Sequence, residues 1–102
     1  MISFDRKIYL GENAEPRKKY IINNIKRHRF QAGIYVISLC TNGTDIFDII
    51  PTWMISKEGY NGKDINILGI AYGKDEAIDV VCRMILDVYE KTGNMDVRGY
   101  FS

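Results

Sequence analysis

Apolar and polar residues alternate clearly at the start of the chain. Ile2, Phe4, Ile8 and Leu10 share one parity, while Ser3, Asp5 and Lys7 take the other, which is the two-residue period of a half-buried strand. Arg6 interrupts the apolar parity once. Gly11-Glu12-Asn13 breaks the chain, and Pro16 stands where a first helical turn tolerates a missing N–H. The pattern predicts a helix over residues 14–29, with Ile21, Ile22 and Ile25 as a narrow apolar face.

Residues 34–40, Ile-Tyr-Val-Ile-Ser-Leu-Cys, are almost wholly apolar, as expected of a strand covered on both faces and placed inside a sheet. Thr41-Asn42-Gly43-Thr44 follows, and Asn-Gly between apolar segments is a strong hairpin signal because a type I′ turn needs positive φ at both central residues. Residues 45–50 therefore read as the returning strand. The competing reading is a short helix capped by Thr44 and stopped before Pro51. Residues 51–64 collect Pro51, Gly59 and Asn61-Gly62 around exposed-looking Trp53, Met54 and Tyr60, and read as a mobile loop. A strand over 65–71, a helix over 75–91 stopped by Thr92-Gly93-Asn94, and a short closing strand over 95–101 complete the pattern.

These elements predict one domain spanning residues 1–102. Its fold class is α+β, a two-layer sandwich with two helices on one face of a four- or five-stranded sheet. The nearest named architecture is a ferredoxin-like plait with an added hairpin.

Composition supports a single globular core, with 46% hydrophobic and 26% charged residues in 102 positions. Sixteen isoleucines against four leucines and four alanines match the bias of AT-rich codons and suggest a bacterial source. The opening residues carry charges where a signal peptide needs its apolar stretch, and the apolar runs have strand length. A cytoplasmic protein without a membrane span is expected. Cys40 and Cys82, the two cysteines, both fall on apolar patterns and read as reduced, buried core residues.

Charge changes the picture further. Residues 1–44 carry net +5 and residues 45–102 net −4, which the overall value of +1 conceals. Residues 16–44 contain no acid. The predicted first helix could therefore present Lys19, Asn23, Lys26 and Arg27 to nucleic-acid phosphates, against the plainer reading of a solvated helix face. Arg98-Gly99-Tyr100-Phe101 resembles the start of an RNA-recognition signature, but Phe101 replaces the small residue it requires and the match is too short to count.

Gly69-Ile70-Ala71-Tyr72-Gly73-Lys74-Asp75 superficially resembles a phosphate-binding loop. It is one residue short of the required spacing, and Asp75 replaces the magnesium-binding hydroxyl and better suits a helix cap. On the second helix, Ala77, Ile78, Val81, Cys82, Met84, Ile85, Val88 and Tyr89, flanked by Val80 and Leu86, make an apolar arc of roughly 240°, wider than one sheet face can cover. Arg83 has an acid four residues away on either side, a pattern of mutual neutralisation.

Chemistry-bearing residues are few. The single histidine, His28, sits in Lys26-Arg27-His28-Arg29 and suits a surface helix end better than a general base. No Cys-x-x-Cys or His-x-x-x-His spacing occurs, so no metal, cofactor or enzymatic activity is expected. The reading favoured by the sequence is a non-enzymatic module that binds a protein partner or itself as a homodimer, using Trp53, Met54, Tyr60, Val80 and Leu86. Nucleic-acid binding through the basic helix is the alternative.

Overall fold

The structure, a computed structural model, describes residues 1–40, 46–55 and 64–101. Four strands are formed there: β1 (Ile2–Leu10), β2 (Ile34–Leu39), β3 (Phe47–Pro51) and β4 (Ile65–Tyr72). The helices are α1 (Lys18–Lys26), α2 (Lys74–Thr92) and the short α3 (Val97–Phe101). Single 3-10 turns occupy Glu15–Arg17 and Thr52–Met54. The result is the expected α+β sandwich, a mixed sheet with two main helices.

The sheet order is β1-β4-β2-β3. β1 runs parallel to β4, whereas β4 with β2 and β2 with β3 are antiparallel. The apolar run of β2 is thus interior, as its composition requires. Residues 47–51 form the returning strand in place of the short helix, and the Cys40 N–H bonds the Ile46 carbonyl at 2.9 Å across the hairpin. The Asn42-Gly43 turn lies outside the described residues.

Alternation along the strands assigns the two sheet faces. Ile34 and Val36 of β2 pack with Ile21 and Ile25 of α1. Tyr35, Ile37 and Leu39 point the other way, into the cluster containing Ala77, Val80 and Met84 of α2. The helices therefore lie on opposite faces instead of sharing one. β4 departs from strict alternation at Leu68 and Gly69. Leu68 joins the α2 cluster, and a Cβ built at Gly69 would come within 3.2–3.3 Å of Ile37 and Val80 on that same face. The pairing of β1 with β4 slips between Phe4 and Tyr9, the stretch that contains the pattern-breaking Arg6.

The first helix is shorter than expected. After Lys26 the chain closes a Schellman motif, in which the Arg29 N–H bonds the Asn24 carbonyl at 2.9 Å and the His28 N–H bonds that of Ile25 at 3.0 Å. His28 takes the left-handed φ of +55° that this motif needs. At the end of α2, Gly93 takes a left-handed φ of +75° in the simpler αL motif, its N–H bonding the Tyr89 carbonyl at 2.8 Å.

The closing strand expected over 95–101 is instead α3. The Asp96 carboxylate accepts the Gly99 N–H at 3.1 Å, an N-cap that commits the segment to a helical turn. Phe101 then packs edge-on against Tyr9 and Phe47, at 6.0 and 5.8 Å between centroids, on the α2 face of the sheet. Without a strand after α2, the ferredoxin-like plait is not formed.

Candidate functional site

Adjacent parallel strands whose following helices go to opposite faces leave a crevice at their carboxyl ends. β1 and β4 meet that condition, and an open cavity of about 760 Å³ lies there, with Gly11, Asn13, Tyr72, Gly73, Asp79 and Arg83 among its walls. The Glu76 carboxylate sits across it. One oxygen accepts the Tyr72 N–H at 2.6 Å; the other accepts the Asn13 N–H at 2.8 Å and its side-chain amide at 2.9 Å. Burial raises the Glu76 pKa, but these donors outweigh it and hold the group below the usual glutamate range. Glu76, not Asp75, is therefore the carboxylate that takes the backbone donors where α2 begins. Arg83 turns to the Leu10 carbonyl at 2.5 Å, so the predicted neutralisation by its helical neighbours gives way to a tie between α2 and β1.

A second cluster lies further along α2. The Tyr9 hydroxyl donates to the Asp87 carboxylate, which also meets Lys91 at 3.2 Å and Lys7 at 3.7 Å. Burial, followed by the bond to Asp87, raises the Tyr9 pKa. The Tyr9 hydrogen bond chiefly lowers that of Asp87. Both shifts move titration away from neutrality, so the pair behaves as a fastening and not as an acid–base couple.

The outer face of α2 carries the apolar excess seen in the sequence. Ala77, Val80, Met84 and Val88 are buried against the sheet, and Ile78, Cys82, Leu86 and Tyr89 line up exposed beside them. Leu86 is 61% exposed. Val80 corrects the expectation of an exposed edge: it is completely buried, because on the helical wheel it falls in the arc that meets Ile37 and Gly69. Cys82 is a correction in the other direction, exposed where a buried thiol was expected, while Cys40 is buried.

Trp53 and Met54 are exposed on the Thr52–Met54 turn, Trp53 by 65%. The Thr52 hydroxyl anchors that turn to the Gln31 carbonyl at 3.0 Å, and Ile55 packs into the α1-side core. They are therefore tied to the face opposite α2, and the described part of the 51–64 segment does not form one surface with Leu86. Tyr60 lies outside the described residues.

Lys19, Asn23, Lys26 and Arg27 are all exposed along α1. Lys26 stands over the Phe4 ring at 5.7 Å and Arg17 over the Tyr20 ring at 5.4 Å. Beside this cationic face a cavity of about 300 Å³ opens between α1 and the chain leading into β2. Tyr20, Phe30 and Tyr72 rim it, and the buried amides of Asn24 and Gln31 lie at its floor. Phe30 is 72% exposed. The cations are legible in the sequence, whereas this aromatic rim as a unit is not. Tyr20 and Phe30 were visible as rings placed within the basic run, whereas Tyr72 reaches the site only because β4 pairs with β2 at Ile34.

Comparison with known proteins finds no matching family, no matching curated protein and no matching solved structure. Among the described residues no helix is long and apolar enough to cross a membrane, and no group of three His, Cys, Asp or Glu side chains is placed to hold a metal ion.

Proposed function

We propose that this chain is a non-enzymatic cytoplasmic protein-interaction module, and that its primary partner is a second copy of itself. The observation that carries this reading is the line of exposed apolar side chains on α2, Ile78, Cys82, Leu86 and Tyr89. They follow one another at four-, four- and three-residue steps, a continuous stripe about 16 Å long at 1.5 Å per residue. Contiguous exposed apolar surface of this kind marks interaction sites more often than solvent-facing helix.

A stripe without charge in its four members is self-complementary under a two-fold axis, so two α2 helices packed face to face hide both stripes with the same contacts. Leu86, more exposed than Ile78 or Tyr89, is the natural knob of that contact. Sedimentation at several concentrations tests the reading with wild type and Leu86→Lys. The expected result is a concentration-dependent dimer for wild type and a folded monomer for the variant. A wild type that stays monomeric at high micromolar concentration refutes it.

A further inference from the structure

We propose that the cavity between α1 and the chain entering β2 binds single-stranded nucleic acid, seating one base among Tyr20, Phe30 and Tyr72 while the cations of α1 hold the flanking phosphates. This surface lies on the sheet face away from the α2 stripe, so it is independent of self-association.

Three features converge here. The first is aromatic surface without a structural partner large enough to hide it, with Tyr20 59% and Phe30 72% exposed. The Tyr72 ring closes the third side, lying 3.7 Å from the position a Cβ would take at Gly33. Base stacking on such rings is sequence-tolerant because every base has a π-face.

The second feature is charge. No acid occurs from residue 16 through residue 44, and Arg17, Lys19, Lys26 and Arg27 are exposed around the helix from the cavity outward. On the helical wheel Tyr20 and Asn24 face the cavity, Asn23 and Arg27 come next, and Lys19 and Lys26 follow. A strand leaving the cavity thus meets cations at once, and each neutralised phosphate releases counterions.

The third is the polar floor. The Asn24 amide nitrogen reaches the Gln31 side-chain oxygen at only 3.5 Å, and the Gln31 amide nitrogen donates to the Ile21 carbonyl at 3.2 Å. The long first bond is one that the edge of a base can displace. A purely apolar pocket would not discriminate a base from a protein side chain; amides beneath aromatic walls match a flat ligand with polar edges. Duplex is a poor fit, since its bases are stacked on one another and unavailable to the rings.

The test is fluorescence anisotropy of the wild-type protein with labelled single strands of twelve uridines or twelve deoxythymidines, and with a duplex of equal length, across a salt series. Single strands should bind at low salt and more tightly than duplex, and affinity should fall linearly on a log–log plot as salt rises. Phe30→Ala should weaken binding roughly tenfold or more, the usual loss for one stacked base. Arg27→Gln should reduce the salt slope by about one while leaving the preference for single strands. Both residues are exposed, and circular dichroism confirms that the variants fold. Absence of binding at low salt, equal affinity for duplex, or an unchanged affinity in Phe30→Ala would each overturn the proposal.

Discussion

The Glu76 carboxylate fills the space in which a side chain at Gly11 would begin: a Cβ built at Gly11 overlaps the carboxylate directly. Glycine is needed here for close approach, so that a carboxylate on α2 can reach both strand ends. From that position Glu76 holds Asn13 after β1 and Tyr72 at the end of β4. Hydrogen bonds to a charged acceptor contribute more than neutral ones, but this site is partly open to water, so the clasp is worth about 1–2 kcal/mol. Gly11→Ala and Glu76→Gln should each lose about that amount in urea denaturation. Because both break the same contact, the double variant should lose clearly less than the sum. Full additivity would mean that the two residues act separately.

The clasp also carries a pH signature. Its donors lower the Glu76 pKa in the folded protein, so the stability they add is fully present above the ordinary glutamate value near about 4.3 and is lost as pH falls through the lowered folded value. The gap between wild type and Glu76→Gln should therefore stay constant from neutrality to about pH 5 and close below about pH 4. Denaturation midpoints at a series of pH values measure this gap. A gap that widens on acidification would contradict the assigned hydrogen bonds.

How much of this was legible in the sequence depends on the range of the cause. Periodicity placed β1, β2, β4 and α2 within a few residues, because apolar alternation and helical spacing are local signals. It also revealed the excess apolar arc of α2, and Leu86 is exposed as the pattern suggested. Val80 and Cys82 were interchanged because the rotation of a helix about its own axis is fixed by what it packs on, here Ile37 and Gly69. The tail misled for a different reason: Met95, Val97, Gly99 and Phe101 alternate like a strand, but the Asp96 cap acts first. The Gly11–Glu76 contact joins residues 65 positions apart and leaves no local trace. The aromatic rim was half visible, in Tyr20 and Phe30, and needed strand pairing to supply Tyr72.

His28 holds a left-handed backbone angle that favours glycine, which an L-residue adopts at a cost of roughly 1 kcal/mol. The Schellman motif demands that angle whatever the residue. His28→Gly should therefore stabilise the fold by up to about 0.5 kcal/mol, after the greater freedom of glycine in the unfolded chain is subtracted. For a domain of this size that corresponds to a rise of up to about 3 °C in Tm, readable by thermal denaturation. A fall in Tm would show that the His28 side chain makes a contact worth more than the strain.

The two cysteines should separate cleanly by reactivity. Cys82 is exposed on the α2 stripe and Cys40 is buried at the end of β2. Thiol reagent added to the native monomer at low concentration should modify one site within seconds to minutes, and peptide mapping should place the label at Cys82. Cys40 should react only on unfolding. At high concentration the proposed dimer covers Cys82, so its labelling should slow as protein concentration rises. Prompt labelling of Cys40 would mean that the hairpin end opens far more readily than its burial implies.

Inorganic phosphate and nucleotides should fail to bind at the start of α2, although the segment from Gly69 to Asp75 superficially resembles a phosphate loop. A helix N-terminus attracts anions through N–H groups left without acceptors. Here the Glu76 carboxylate, held by the Tyr72 and Asn13 N–H groups of the two strand ends, sets a negative charge beside the start of α2 that repels a further anion. Glu12, Glu15, Asp75 and Asp79 add further negative charge around the same crevice, against Lys74 and Arg83. Titration with ATP should leave the Gly73 and Asp75 amide resonances unmoved through millimolar concentration. Glu76→Gln removes the competing charge but leaves the surrounding acids, so it too should bind phosphate weakly. Saturable shifts at micromolar nucleotide in the wild type would show that Glu76 swings away, and that the crevice at the strand ends accepts the anion its geometry outlines.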